Sequence, residues 1–255
     1  MAARHQHSSH AASVALESRR GRRFVFLHIP KTAGSTIHHR VLRRSPYFID
    51  VGLESPQPHF TYHELEHQLS RQTLERYWTF CFIRHPVDRY LSRIRYLQRP
   101  ETADIARHKE EWQLANTVTC PKQILQVAIR ECPAFLEARH GWPQTRFIVD
   151  DTQRIVADFI GTTETFSRDI ATVYRRLRLY EKFFRRLRSV NVTGRQYEEL
   201  KHDPELVGML REVYAADFEL FELVQVRGGH GLKGLHLGSG AYRDGHAPQP
   251  ANAAA

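Results

Sequence analysis

The chain has 255 residues, with 37 Lys and Arg against 28 Asp and Glu for a formal net charge of +9. That length supports one substantial core and demands no second domain. No stretch approaches the roughly 20 apolar residues of a membrane-spanning helix, and the charge directs attention to anionic partners: nucleotides, phosphorylated or sulfated sugars, nucleic acid or anionic lipid.

Residues 1–22 are polar, carry several histidines and lack an apolar leader core, so they read as a disordered segment. Residues 228–255, rich in Gly, His, Ala and Pro, read as a disordered tail, which leaves 23–227 as the folded domain. The three cysteines, Cys81, Cys120 and Cys132, are odd in number and follow no metal spacing. They suit a reducing, cytoplasmic compartment, with a Cys120–Cys132 disulfide as the less favoured alternative and peripheral membrane attachment left open.

Between those ends, strand and helix patterns alternate. Phe24 to Ile29 is a short β-forming run that stops at Pro30, and a helix is expected from Ser35 or Thr36 to about Arg44, with Ile37 and Val41 on one face. Tyr47 to Val51 reads as a strand and Glu64 to Tyr77 as helical. Trp78 to Ile83 (WTFCFI) has the continuous apolar run of a strand covered on both faces. Pro86 then opens a helix in which Val87, Leu91, Ile94 and Leu97 recur at helical spacing. Further helices are expected over 166–179 and onward from the Asp203-Pro204 cap signal through Leu206, Leu210, Val213 and Phe221. Strand, loop and helix in repeated succession predict an α/β fold around a central parallel sheet.

The stretch FLHIPKTAGSTIHH, residues 26–39, lies between the first strand and its helix. A turn at that place points successive N–H groups at an anion, with the positive end of the helix dipole behind them. Lys31 adds a mobile charge, Gly34 lets the backbone approach, and Thr32, Ser35 and Thr36 bring hydroxyls, with Ala33 among them. The order differs from the nucleoside-triphosphate loop G-x-x-x-x-G-K-[ST], because here the lysine precedes a single glycine.

HIPKTAGST resembles the 5′-phosphosulfate loop of the sulfotransferases that use 3′-phosphoadenosine 5′-phosphosulfate (PAPS), in particular the carbohydrate family that includes heparan sulfate 2-O-sulfotransferase. FCFIRHPVDRYLS resembles that family's 3′-phosphate motif. VADFIGTTETFSRDIATVYRRL and VNVTGRQYEELKHDPELVGMLREVYAADFELF resemble its later helices, so the likeness runs from about Arg23 to Leu223. The resemblance implies a P-loop-like three-layer α/β/α fold and sulfuryl transfer to a hydroxyl, with a glycan or glycoconjugate as acceptor. It also implies PAPS as cosubstrate, held by Lys31, Thr32, Ala33, Gly34, Ser35, Thr36, Arg84 and Ser92, with no metal and no nucleic acid involved.

Arg84 closes a buried strand at the end where parallel α/β sheets gather ligands, and its planar guanidinium suits a phosphate. Arg89 divides evenly between a structural ion pair and a ligand contact, whereas Arg93 and Arg95 read as surface charge. Sulfuryl transfer needs a base, and the segment PHFTYHEL makes His59 the match to the family's catalytic histidine, with His63 as competitor. His28 reads as a packing group and His38 and His39 as partly exposed. Glu164 is expected to orient the loop or His59, or to stabilise a helix entry.

Residues His63 and His67 form H-x-x-x-H without the glutamate of a zinc protease motif. The sequon at Asn191 carries no weight without a secretory signal. The arginine-dense stretch 174–188 fits core packing with a solvated basic face, an acidic acceptor lying along it being the alternative. The region from Gln98 to Arg146 is expected to contribute to the acceptor wall. A nucleotide-dependent kinase or phosphotransferase is the second functional reading.

Overall fold

The computed structural model describes residues 14–17, 23–37, 59–102, 109–177 and 197–238. A strand β1 (Val14–Glu17) pairs antiparallel with β2 (Arg23–Leu27), placing Val14 opposite Phe26. After β2 come a helical turn α1 (Gly34–Thr36), then α2 (Tyr62–Leu69) and the short α3 (Arg71–Leu74). Strand β3 (Trp78–Ile83) runs parallel to β2, with Leu27 opposite Cys81. Helices α4 (Pro86–Leu97), α5 (Lys109–Thr117), α6 (Pro121–Arg130) and α7 (Pro133–Glu137) precede β4 (Phe159–Thr162), which is parallel to β3. The described chain continues through α8 (Phe166–Leu177), α9 (Pro204–Val213) and α10 (Ala215–Arg227). The sheet order is β1-β2-β3-β4.

Strand alternation explains the layers. Phe24 and Phe26 of β2 point to one face, where they meet Phe80, Phe82, Phe159 and the α8 residues Ile170, Val173 and Tyr174. Val25, Leu27, Cys81, Ile83 and Ile160 point to the other, against Leu65 of α2 and Leu220 and Val224 of α10. The continuous apolar run of β3 is therefore covered on both faces, and the three-layer α/β expectation holds. A third core joins α4, α5, α6 and α9 through Leu91, Ile94, Ala115, Ile124, Leu125, Leu206 and Leu210.

Several expectations need correction. Val14–Glu17 is a strand inside the head expected to be disordered, because its main chain completes the outer edge of β2. Residues 229–238 of the expected tail return to the sheet. Leu232 and Leu237 are buried, Ile160 N–H donates to Gly229 O at 2.9 Å, and Ile155 N–H to Leu235 O at 2.9 Å. The single terminal helix divides at Tyr214, whose buried hydroxyl leaves the helical path to donate to Gly141 O at 2.8 Å. The expected strand Tyr47 to Val51, the helix beyond Ile37 with His38 and His39, and the basic stretch after Leu177 lie outside the described residues.

Arg93 and Arg95 are not surface charge, being 2% and 8% exposed. An apolar stripe predicts one covered face, but ten of the 12 residues of α4 are buried, since the helix is packed against α5, α9 and α10. Arg93 offsets its desolvation through Glu111, 2.6 Å away, and through Phe135 O, and it lies 3.9 Å over the Phe135 ring. All three cysteines are free.

Candidate active site

Strands β2 and β3 are parallel neighbours, so the loops leaving their carboxyl ends emerge side by side. Lys31 follows β2 and Arg84 follows β3. Lys31 adopts φ 69° and Ala33 φ 66°, left-handed conformations that cost a non-glycine residue about 1 kcal/mol each and turn the loop back sharply. The Thr32 hydroxyl closes this turn by donating to Ile29 O at 2.9 Å. Thr32 is fully buried, so its hydroxyl braces the loop from inside. Ser35 is the exposed hydroxyl of the set, and Thr36 is buried.

Gly34 answers a steric demand of this chain. A Cβ there would lie 1.8 Å from Cδ2 and Nε2 of His28, whose ring occupies the space. That ring is buried, stacks on Phe26 at 5.6 Å between centroids, and meets His59 edge-on at 4.3 Å. His28 is thus the packing group expected of it.

Helix α4 faces the loop from the other side. Arg89 Nε donates to Pro30 O at 3.1 Å, and the Lys31 ammonium sits 4.0 Å over the Tyr96 ring. Positions 89, 92 and 96 share a helix face, so the buried Ser92 lies between those two contacts. Arg89 also bonds His140 O at 3.4 Å and approaches Asp217 at 3.9 Å, the structural alternative for this residue.

Lys31 is held down to a pKa of about 7, first by burial and then by Arg99, Arg84, Arg95 and Arg89. Every charge acting on it most strongly is therefore cationic, and Arg84 is among them. Burial likewise lowers the Arg84 pKa, with Asp88 and Glu164 opposing. A lysine crowded by guanidinium groups needs an anion to keep its proton.

His59 enters the crevice from the segment before α2. Its Nδ1 lies 2.9 Å from His28 O. A carbonyl only accepts, so Nδ1 carries the hydrogen of this bond. The ring meets His140 edge-on at 5.3 Å, and His140 meets Tyr96 at 5.6 Å, linking His59 to the aromatic bed of Lys31. His63, the competitor, stands exposed on α2 beside His67.

Composition and motif spacing miss the groups that brace this arrangement. Arg139 donates to His59 O and forms a two-pronged pair with Glu64 at 2.6 and 2.8 Å. Glu64 also accepts from Thr61 N–H at 2.7 Å, completing the capping box of α2. Gln144, wholly buried, grips Arg84 at both backbone groups, accepting its N–H and donating to its C=O at 2.9 Å each. Asp217 accepts the N–H groups of Gln144 and Thr145 at 2.8 and 3.0 Å. Glu164 accepts His85 N–H at 3.0 Å, so it orients the Arg84 turn. The x-x-Glu step from Thr61 to Glu64 was a readable signal; nothing local marks Gln144 or Asp217.

The model of the sulfotransferase family matches residues 19–223, most of the chain. The chain belongs to the sulfotransferase family. It is therefore a transferase with an acceptor substrate, and the family donor is of the sulfonate type. No curated protein and no solved structure matches this sulfotransferase. Among the described residues no helix is long and apolar enough to cross a membrane. The Lys31, His59 and Arg84 segments of the sulfotransferase all fall inside the matched span.

Proposed function

We propose that the protein transfers a sulfuryl group from PAPS to a hydroxyl of a carbohydrate, with Lys31 and His59 as its catalytic residues. The observation that carries this reading is the approach of Lys31 and Arg84 beyond the ends of neighbouring parallel strands, where a partly buried ammonium stands among guanidinium groups. Those residues fit a ligand with phosphate at both ends. Lys31 with the amides of Gly34 and Ser35 would hold the 5′ end, and Arg84 with Ser92 the 3′-phosphate. When bound, PAPS supplies an activated sulfuryl group. Lys31 then concentrates positive charge at the 5′ end of the crevice, where negative charge grows. His59 accepts the proton of the attacking hydroxyl at Nε2, while its Nδ1–H stays on His28 O and keeps the ring oriented.

Transfer of label from PAPS to a panel of glycans and small alcohols tests the reading, with Lys31→Ala and His59→Ala as controls. Activity that both variants retain in full removes the assignments. Thermal shift separates the kinase reading, which the family does not favour: 3′-phosphoadenosine 5′-phosphate should stabilise the protein without metal and Mg-ATP should not.

A further inference from the structure

Residues His63 and His67 take no part in the crevice. They occupy successive turns of α2 with both rings exposed, and four-residue spacing puts them on one helix face. Their Nε2 atoms are 3.2 Å apart, and the rings stand nearly perpendicular, 4.6 Å between centroids. Two imidazole nitrogens bound to one ion at about 2.0–2.1 Å stand about 3.3 Å apart at a tetrahedral angle and about 2.9 Å apart at a right angle. The observed separation falls between these values.

The helix holds that spacing in advance. Thr61 and Glu64 cap α2 in both directions, so little ordering remains for a ligand to impose. Two imidazole nitrogen donors, open to water, suit a d-block divalent ion better than calcium or magnesium.

We propose that His63 and His67 form a two-histidine chelate for a divalent transition-metal ion of the zinc, nickel or copper type, with water completing the coordination shell. Among the described residues no group of three or more His, Cys, Asp or Glu could hold a metal, so this is a bidentate, exchangeable site. It is separate from the proposed chemistry, and its consequence is to staple two turns of the helix that follows His59.

The test titrates Zn²⁺ into the full-length protein against a competing chromogenic chelator, beside His63→Ala, His67→Ala and the double variant. The chain has 16 histidines, so the readout is the difference from wild type. The double variant should lose one zinc equivalent, and each single substitution should weaken that equivalent at least tenfold. Zinc should raise Tm more in wild type than in the double variant. A His63→Gln, His67→Gln variant, which keeps helix-forming polar side chains, should show the same loss. Unchanged stoichiometry and affinity in both double variants overturn the proposal. Weakening in one single variant with none in the other overturns it as well, because a chelate needs both.

Discussion

The affinity for 3′-phosphoadenosine 5′-phosphate should fall steeply as pH rises from 7 to 9, through Lys31 alone. In the unfolded chain this amine titrates near 10.5, whereas burial and the surrounding arginines bring it to about 7 in the fold. A base whose pKa is depressed by folding is charged in both states below pH 7. Between about 7 and 10.5 the unfolded chain holds the extra proton, so the ligand-free protein gains stability as pH rises through that window. Ligand binding has the opposite sign. Phosphate restores the ammonium, binding takes up a proton, and alkaline pH opposes it. With a pKa of about 7, roughly half the free protein carries the charge at pH 7, about one tenth at pH 8 and about one hundredth at pH 9. Kd should therefore rise about fivefold by pH 8 and about 50-fold by pH 9, since the ligand's own phosphates are ionised above pH 6. Isothermal titration in buffers of different ionisation enthalpy reads both Kd and proton uptake. Lys31→Arg, charged throughout, should flatten the profile. A wild-type Kd constant from pH 7 to 9 with no proton uptake at pH 8 would refute the electrostatic account of the crevice.

Arg139→Ala removes the bond to His59 O and the Glu64 pair. With side chains 21% and 35% exposed, the pair should cost only about 1 kcal/mol in denaturation, while kcat falls about tenfold or more and donor KM holds. Gln144→Ala leaves the N–H and C=O of Arg84 without their buried partners. Stability should drop by about 2–4 kcal/mol in urea, and donor binding should weaken with it. Gly34→Ala drives a methyl into the His28 ring, itself wedged between Phe26 and His59. A loss of about 1–3 kcal/mol is expected, with turnover falling further because His28 O positions His59.

What could be read in advance was whatever is written locally. The apolar run Trp78 to Ile83, Pro86 at a helix start and the Asp203-Pro204 cap each describe their own neighbourhood, and each appears where expected. Lys31 and Arg84 come near each other because the strands that precede them are parallel neighbours, an order that repeated crossovers make readable. The bracing groups were illegible because their partners are remote. Gln144 meets Arg84 across 60 positions and Asp217 meets Gln144 across 73, with nothing local to single out either. Arg93 and Arg95 misled for a related reason: a helical period reports one apolar face and is silent when further helices cover the polar one. The tail misled through composition. Glycine read there as looseness, yet a Cβ at Gly229 would lie 2.3 Å from Ile160 O, so its bareness permits close contact.

That contact has a bearing on how the chain keeps to itself. The margin of a small sheet is a natural seed for sticking to another molecule, and here the one at β4 is shut from within by the stretch around Gly229 and His230. A shortened version ending at residue 227, trimmed to tidy a seemingly floppy terminus, would uncover the margin at Phe159–Thr162. Its trouble would surface as clumping during preparation well before any defect in turnover.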